Sequence, residues 1–126
     1  MYHLEWKIPE IVLHIKYWDI LSLSDLMAAM TILKEDYLDH SAEPIHLILD
    51  LSELKVFPKR MPDLHKAMGI IAGHSNMGWV IIVGFLNPVL NFIASLLTQI
   101  YNVHLTSEPD MERALATLRR IDTRLL

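Results

Sequence analysis

Trp79-Val80-Ile81-Ile82-Val83-Gly84 is a short run of apolar, mostly β-branched residues closed by glycine. It stands inside a longer stretch, Ala67 to Ser107, that contains no Asp, Glu, Lys or Arg. An uncharged block of that length crosses a membrane, fills a core or covers a partner. Trp79 to Tyr101 has about the 20 residues that a helix needs to span hydrocarbon. Its interior pattern points elsewhere. Six apolar residues ending in Gly match a buried strand. Asn87-Pro88 then starts a new element, because Asn caps helices well and Pro at the first helical position forfeits no required hydrogen bond. Asn91, Ser95, Thr98 and Asn102 follow at spacings of four, three and four. They draw one polar stripe on a helix whose other faces carry Leu90, Phe92, Ile93, Leu96, Leu97 and Ile100. The block therefore reads as a strand followed by a mostly apolar helix, and no transmembrane segment is expected.

The flanking elements extend the same grammar. Tyr2, Leu4, Trp6 and Ile8 alternate with His3, Glu5 and Lys7, and after Pro9-Glu10 the alternation resumes from Ile11 to Tyr17. Two such runs around a short turn predict an antiparallel hairpin, with His3 and His14 on its solvated side. Ser22 and Asp25 have capping-box spacing and open a helix with Leu26, Met30, Leu33 and Tyr37 as its apolar stripe. Ile45 to Leu51 is nearly continuous apolar sequence, the mark of a central strand covered on both faces. A loop from Ser52 to Met61 comes next. Pro62-Asp63 starts a second helix running to about Gly73, with Leu64, Met68 and Ile71 inward. Val103 to Thr106 is a short last strand. Ser107-Glu108-Pro109-Asp110 begins a final helix with Met111, Leu115 and Leu118 buried, and Arg119, Arg120 and Arg124 near its end complement the helix dipole.

The order is thus β-β-α-β-α-β-α-β-α. It implies an α/β domain with a mixed, mainly parallel central sheet and an N-terminal antiparallel hairpin, because right-handed crossovers lay helices over the sheet faces. At 126 residues the chain reads as a single domain, 1–126, able to build a core without staples. The absence of Cys excludes disulfides and thiolate metal sites. No secretory signal is visible at the start, so a cytoplasmic location is expected. A net charge of −4 argues against non-specific nucleic-acid binding, which needs a concentrated basic face.

This element order, with Leu49-Asp50-Leu51-Ser52 closing the central strand and Glu112-Arg113-Ala114-Leu115-Ala116-Thr117-Leu118 in the last helix, resembles the STAS domain. Within it, the chain is similar to the SpoIIAA-like branch, whose relatives include anti-sigma factor antagonists. The resemblance implies a regulatory domain that binds a protein partner. In those antagonists a Ser in the loop after the central strand is phosphorylated. The family spacing lands here on Pro58-Lys59-Arg60-Met61, and no Ser or Thr lies between Ser52 and His74. A phosphate would add about two negative charges to such a loop. This chain lacks the usual acceptor, and its Ser52 reads as a hydrogen bonder at the strand end.

Other chemistry is sparse. The seven His show no close pair of the His-Glu-x-x-His kind, so no metal and no cofactor are expected. Asp50 is the best candidate for an acid–base group, and its simpler reading is a carboxylate that bonds nearby backbone. Lys55, Lys59, Arg60 and Lys66 place four of the eleven basic residues around Phe57, ahead of a helix N-terminus. The partner or anion-binding candidates are therefore Asp50, Ser52, Lys55, Phe57, Lys59 and Arg60. The apolar interface or pocket candidates are Leu90, Ile93, Leu97 and Tyr101. The leading functional expectation is a non-catalytic regulatory or scaffold domain binding a protein partner, including itself as a homodimer. The alternative is a carrier or sensor of a small apolar or lipid-like ligand, since SpoIIAA-like domains are distantly similar to lipid-binding domains. An uncharacterised enzyme is third.

The polar stripe on the third helix is testable. Asn91→Leu should change stability by no more than about 0.5 kcal/mol, the usual range for an exposed site. Leu97→Ala should cost roughly 2–5 kcal/mol as a core truncation. Denaturant titrations that rank the two the other way round would reverse the helix orientation.

Overall fold

The computed structural model describes residues 1–84 and 104–126. The helix expected after Asn87, with Leu90, Ile93, Leu97 and Tyr101, lies outside the described residues. The opening hairpin joins β1 (Tyr2–Ile8) to β2 (Val12–Ile20), antiparallel, with Tyr2 opposite Tyr17 and Trp6 opposite Leu13. Its turn is closed by the Ile11 N–H donating to the Ile8 carbonyl at 3.1 Å. Glu10 takes φ 67° there, the left-handed region that glycine enters most readily.

Helix α1 (Leu23–Ile32) starts as the capping pattern predicts, with Ser22 Oγ accepting the Asp25 N–H at 3.1 Å. It widens into a π-type turn over Leu33–Tyr37, where the Leu38 N–H reaches back to the Leu33 carbonyl. Strand β3 (Ile45–Val56), helix α2 (Met61–Met68), strands β4 (Met77–Val83) and β5 (Leu105–Glu108) and helix α3 (Met111–Ile121) complete the described elements. The sheet order is β1-β2-β3-β4-β5, with only β1 antiparallel to its neighbour. Because β4 takes up Met77–Val83, the uncharged block is not one spanning helix. Among the described residues no helix is long and apolar enough to cross a membrane.

Strand alternation divides the core into two layers. Leu13, Ile15, Tyr17, Leu47, Leu51, Val80 and Ile82 point to the side of α1 and α2, where Ala29, Met30, Ala67 and Ile71 meet them. Val12, Ile48, Ile81 and Val83 point to the other side, against Ala114 and Leu118 of α3. Placing α1 and α2 on one face is what successive right-handed crossovers require.

Several boundaries differ from the sequence expectation, each for a local reason. β3 does not close at Ser52 but continues to Val56, so the expected loop 52–61 shrinks to 57–60. A bulge permits this: from Lys16 to Trp18 β2 advances two residues, while β3 advances three, from Asp50 to Glu53. The last helix is capped by Asp110, whose Oδ1 accepts the Arg113 N–H at 2.8 Å, because Ser107 and Glu108 are still in β5. Helix α2 ends at Met68, yet Ile71 remains buried in the turn beyond it. Arg124 lies past α3 and does not serve its dipole.

Arg124 instead completes a clamp centred on His46. Between Ile45 and Leu47 of β3, β4 advances three residues, from Met77 to Val80, which makes a second bulge. The Trp79 N–H there donates to His46 Nδ1 at 3.0 Å. Since Nδ1 accepts, the ring proton sits on Nε2, which donates to Asp122 Oδ2 at 2.8 Å. Arg124 Nε and Nη2 reach the same carboxylate oxygen at 2.9 and 2.6 Å. Its Nη1 holds Glu43 at 2.8 Å and its Nη2 the Pro44 carbonyl at 2.8 Å. Residue 78 must be glycine for the ring to enter: a Cβ would stand 2.5 Å from His46 Nδ1 and 2.9 Å from the Ile45 carbonyl oxygen.

The bonds from Arg124, against the opposing effect of burial and with help from the Arg124 amide and His46, hold the Asp122 carboxyl far below the usual carboxylate range. A depressed folded-state value means that the unfolded chain binds the proton more readily. The stabilisation is therefore complete above about pH 4 and is lost as pH falls below it. Asp122→Asn should lower the melting temperature at neutral pH and flatten its decline on acidification. Parallel melting-temperature curves for the two proteins from neutral to acid pH would remove Asp122 from this role.

Candidate functional site

The candidate residues Asp50 and Ser52 meet at the β3 bulge. Asp50 Oδ1 accepts both the Ser52 amide, at 3.0 Å, and the Ser52 hydroxyl, at 2.6 Å. This is the short-range Asx pattern by which a carboxylate substitutes for a missing ladder bond. Ser52 thus bonds within a continuing strand, not at its end. Gly84, with φ 77°, closes over it from the end of β4, and a Cβ there would come within 2.6 Å of Ser52 Cβ. Burial by itself would raise the Asp50 carboxyl. The two bonds from Ser52 and the charges of His14 and Lys16 outweigh it, and the group is held below its ordinary range. Asp50 is therefore an anion at neutral pH, engaged by its own strand.

A polar row runs outward from Asp50 over β2 and β1 on the face that also carries Val12 and Ile48. His14 does not sit in solvent as its place in the alternation suggests. Its side chain is 15% exposed, with Nε2 3.7 Å from Asp50 Oδ2 and Nδ1 3.7 Å from Glu5 Oε1. Nε2 is buried and makes no hydrogen bond. Beside it Lys16 Nζ pairs with Glu53 at 2.8 Å, and this partner raises the lysine pKa. His3 remains exposed, as expected, near Glu5.

The basic residues are only partly gathered. Lys55 is exposed on β3, Lys59 and Arg60 on the loop, and Lys66 on α2. Lys59 Nζ lies 5.6 Å from the centre of the Phe57 ring, a cation–π distance. Arg60 is the N-cap residue of α2 and makes no side-chain cap bond. Phe57 itself turns toward the core side, where it joins a feature that sequence reading did not single out.

That feature is an apolar cavity of about 120 Å³ between the sheet and helices α1 and α2. Its described lining includes Leu49, Leu51 and Leu54 of β3, Leu26 and Met30 of α1, and Phe57. Tyr17 of β2 also lines it and supplies the only side-chain nitrogen or oxygen among the described lining residues. Tyr17 is 2% exposed, and its hydroxyl has no hydrogen-bond partner. Burial, reinforced by nearby Tyr2, pushes its phenol well above the ordinary range. A buried hydroxyl left unbonded costs about 1–3 kcal/mol, so such groups are uncommon and call for an explanation. The periodicity of β2 marks Tyr17 as inward, which is correct, but cannot show that its oxygen lacks a partner.

No group of three or more His, Asp or Glu suited to hold a metal occurs among the described residues. The histidines are spent in pairs: His46 on Asp122, His74 Nε2 on Asp39 at 2.8 Å, and His104 stacked on Trp79 with ring centres 4.8 Å apart.

The chain matches no protein-family model and no curated protein. Its architecture does match a solved structure, an uncharacterized protein of the DUF3478 family with a SpoIIAA-like fold from Shewanella loihica PV-4. The two are 20% identical, the match covers 94% of this chain and 92% of the other, and the TM-score is 0.66. Identity at that level speaks for the fold, and it agrees with the element order, the mixed sheet and the two-layer packing derived above. This chain has a SpoIIAA-like α/β fold.

Proposed function

We propose that this protein is a non-catalytic ligand-binding domain, a carrier or sensor of a small apolar molecule held between the sheet and helices α1 and α2. The observation that carries the reading is the cavity of about 120 Å³ with its wholly apolar described lining apart from Tyr17. An apolar cavity of about 150 Å³ stays dry and binds benzene, so a space of this size suits a molecule of similar bulk. The polar face gives catalysis less support. Asp50 is ionised and bonded to Ser52, which leaves no proton to donate at neutral pH.

A second reading, a regulatory domain that docks a protein partner or a second copy, is favoured by a different place. Ile20 and Val56 pair across β2 and β3 and are 57% and 51% exposed, with the Lys55 side chain beside them. Two adjoining exposed aliphatic residues next to a cation would suit an apolar contact rimmed by acidic groups. The two readings are compatible, since ligand occupancy of a sheet can bias what its ends bind.

Benzene tests the first reading. It should raise the melting temperature of the wild-type protein in proportion to occupancy, by an amount equivalent to about 2.7 kcal/mol at a hundred times its Kd. Leu54→Phe, which fills the cavity, should abolish the rise. A wild-type melting temperature indifferent to benzene would end the ligand reading. For the second, light scattering on the wild type and on Ile20→Glu with Val56→Glu should show an assembly that the double variant loses. A wild-type monomer would exclude self-association by this patch.

A further inference from the structure

We infer that the cavity takes a small neutral molecule carrying one oxygen, seated on the hydroxyl of Tyr17. The inference rests on the cavity reading above and adds the chemistry of the ligand. Tyr17 is one of thirteen described lining residues, and all the others are aliphatic, aromatic hydrocarbon, proline or methionine. Its hydroxyl is buried and unbonded in a fold that elsewhere bonds its buried polar groups closely, as at His46. Tyrosine is used at such places because it couples an apolar body to a polar tip that expects a partner.

Three constraints define what that partner is. Water is a poor occupant, because a buried water needs two to four polar neighbours and the described lining offers one. An ionised group is disfavoured, because no Lys, Arg or His is among the described lining residues to balance it. Bulk sets the third: by comparison with the benzene-binding cavity, roughly six to eight non-hydrogen atoms fit. With its proton held on firmly by burial, the phenol is a donor at neutral pH. The matching ligand presents a carbonyl, ether or hydroxyl oxygen on a compact hydrocarbon body. Tyr17 would then be a binding residue that contributes specificity, and the hydrocarbon walls would contribute most of the affinity.

The test uses the full chain, with wild type and Tyr17→Phe titrated calorimetrically with benzene, phenol and benzoate. Tyr17→Phe should weaken phenol binding by about three- to tenfold, the worth of one neutral hydrogen bond, and leave benzene within twofold. Benzoate should bind neither protein. Without ligand, Tyr17→Phe should melt above the wild type, because it removes an unbonded buried hydroxyl, and this also certifies its fold. Phenol binding unchanged by the substitution, with benzene still bound, overturns the role of the oxygen and leaves the apolar cavity standing. Benzoate binding as tightly as phenol overturns the neutral class. If neither benzene nor phenol binds, both this inference and the cavity reading fall.

Discussion

His46 is the point on which the described structure turns. One imidazole accepts from the Trp79 amide in β4 and donates to Asp122 beyond α3, and through Asp122 it reaches Arg124, Glu43 and Pro44. It therefore ties the start of β3, the start of β4 and the end of the chain at one corner. The arrangement works only because β4 bulges there and because residue 78 has no side chain. A buried histidine with both ring nitrogens bonded fixes a single tautomer and a single ring orientation. The packing of α3 over Val12, Ile48 and Ile81 is anchored at this end by that geometry.

Much of the fold is legible from residue spacing. The alternation of Tyr2 to Tyr17 gives the hairpin, the continuous run from Ile45 gives a central strand, and Ser22 with Asp25 gives the start of α1. What spacing misses is what bulges do. Period-two reasoning stops β3 at Ser52, because Glu53 and Lys55 look like loop residues; in the structure they are the exposed side of a strand that gains one residue and goes on. The same limit hides His46, whose role depends on an amide freed by a register change in another strand. Ser107 passes for a helix cap by composition, while the parallel ladder to β4 claims it for β5 and leaves capping to Asp110.

The candidate site was legible in a similar, partial way. Asp50 and Ser52 do belong together, and the simpler reading of Asp50 as a bonder of nearby backbone describes what it does. The apolar cavity could not be read from sequence, because its walls come from β2, β3, α1, α2 and the 57–60 loop, and a void has no residue of its own. Its one polar group shows a related gap: a tyrosine in an alternating strand looks the same whether its hydroxyl is bonded or not. The two faces of one sheet thus serve different ends. Glu5, His14, Lys16 and Asp50 carry charge on one, and Tyr17, Leu49 and Leu51 enclose space on the other.

The bulge at Asp50–Ser52 also governs which changes in chain length β3 can absorb. Removing one residue there would restore straight pairing with β2 but reverse the in–out assignment of everything downstream within the strand. Leu54 would exchange places with its charged neighbours, and Lys55 would be driven toward the helices. A substitution in this segment disturbs one contact; a single-residue deletion would turn a whole strand end inside out. The extra residue is therefore the part of β3 least able to be lost, although its own side chain touches little of the core.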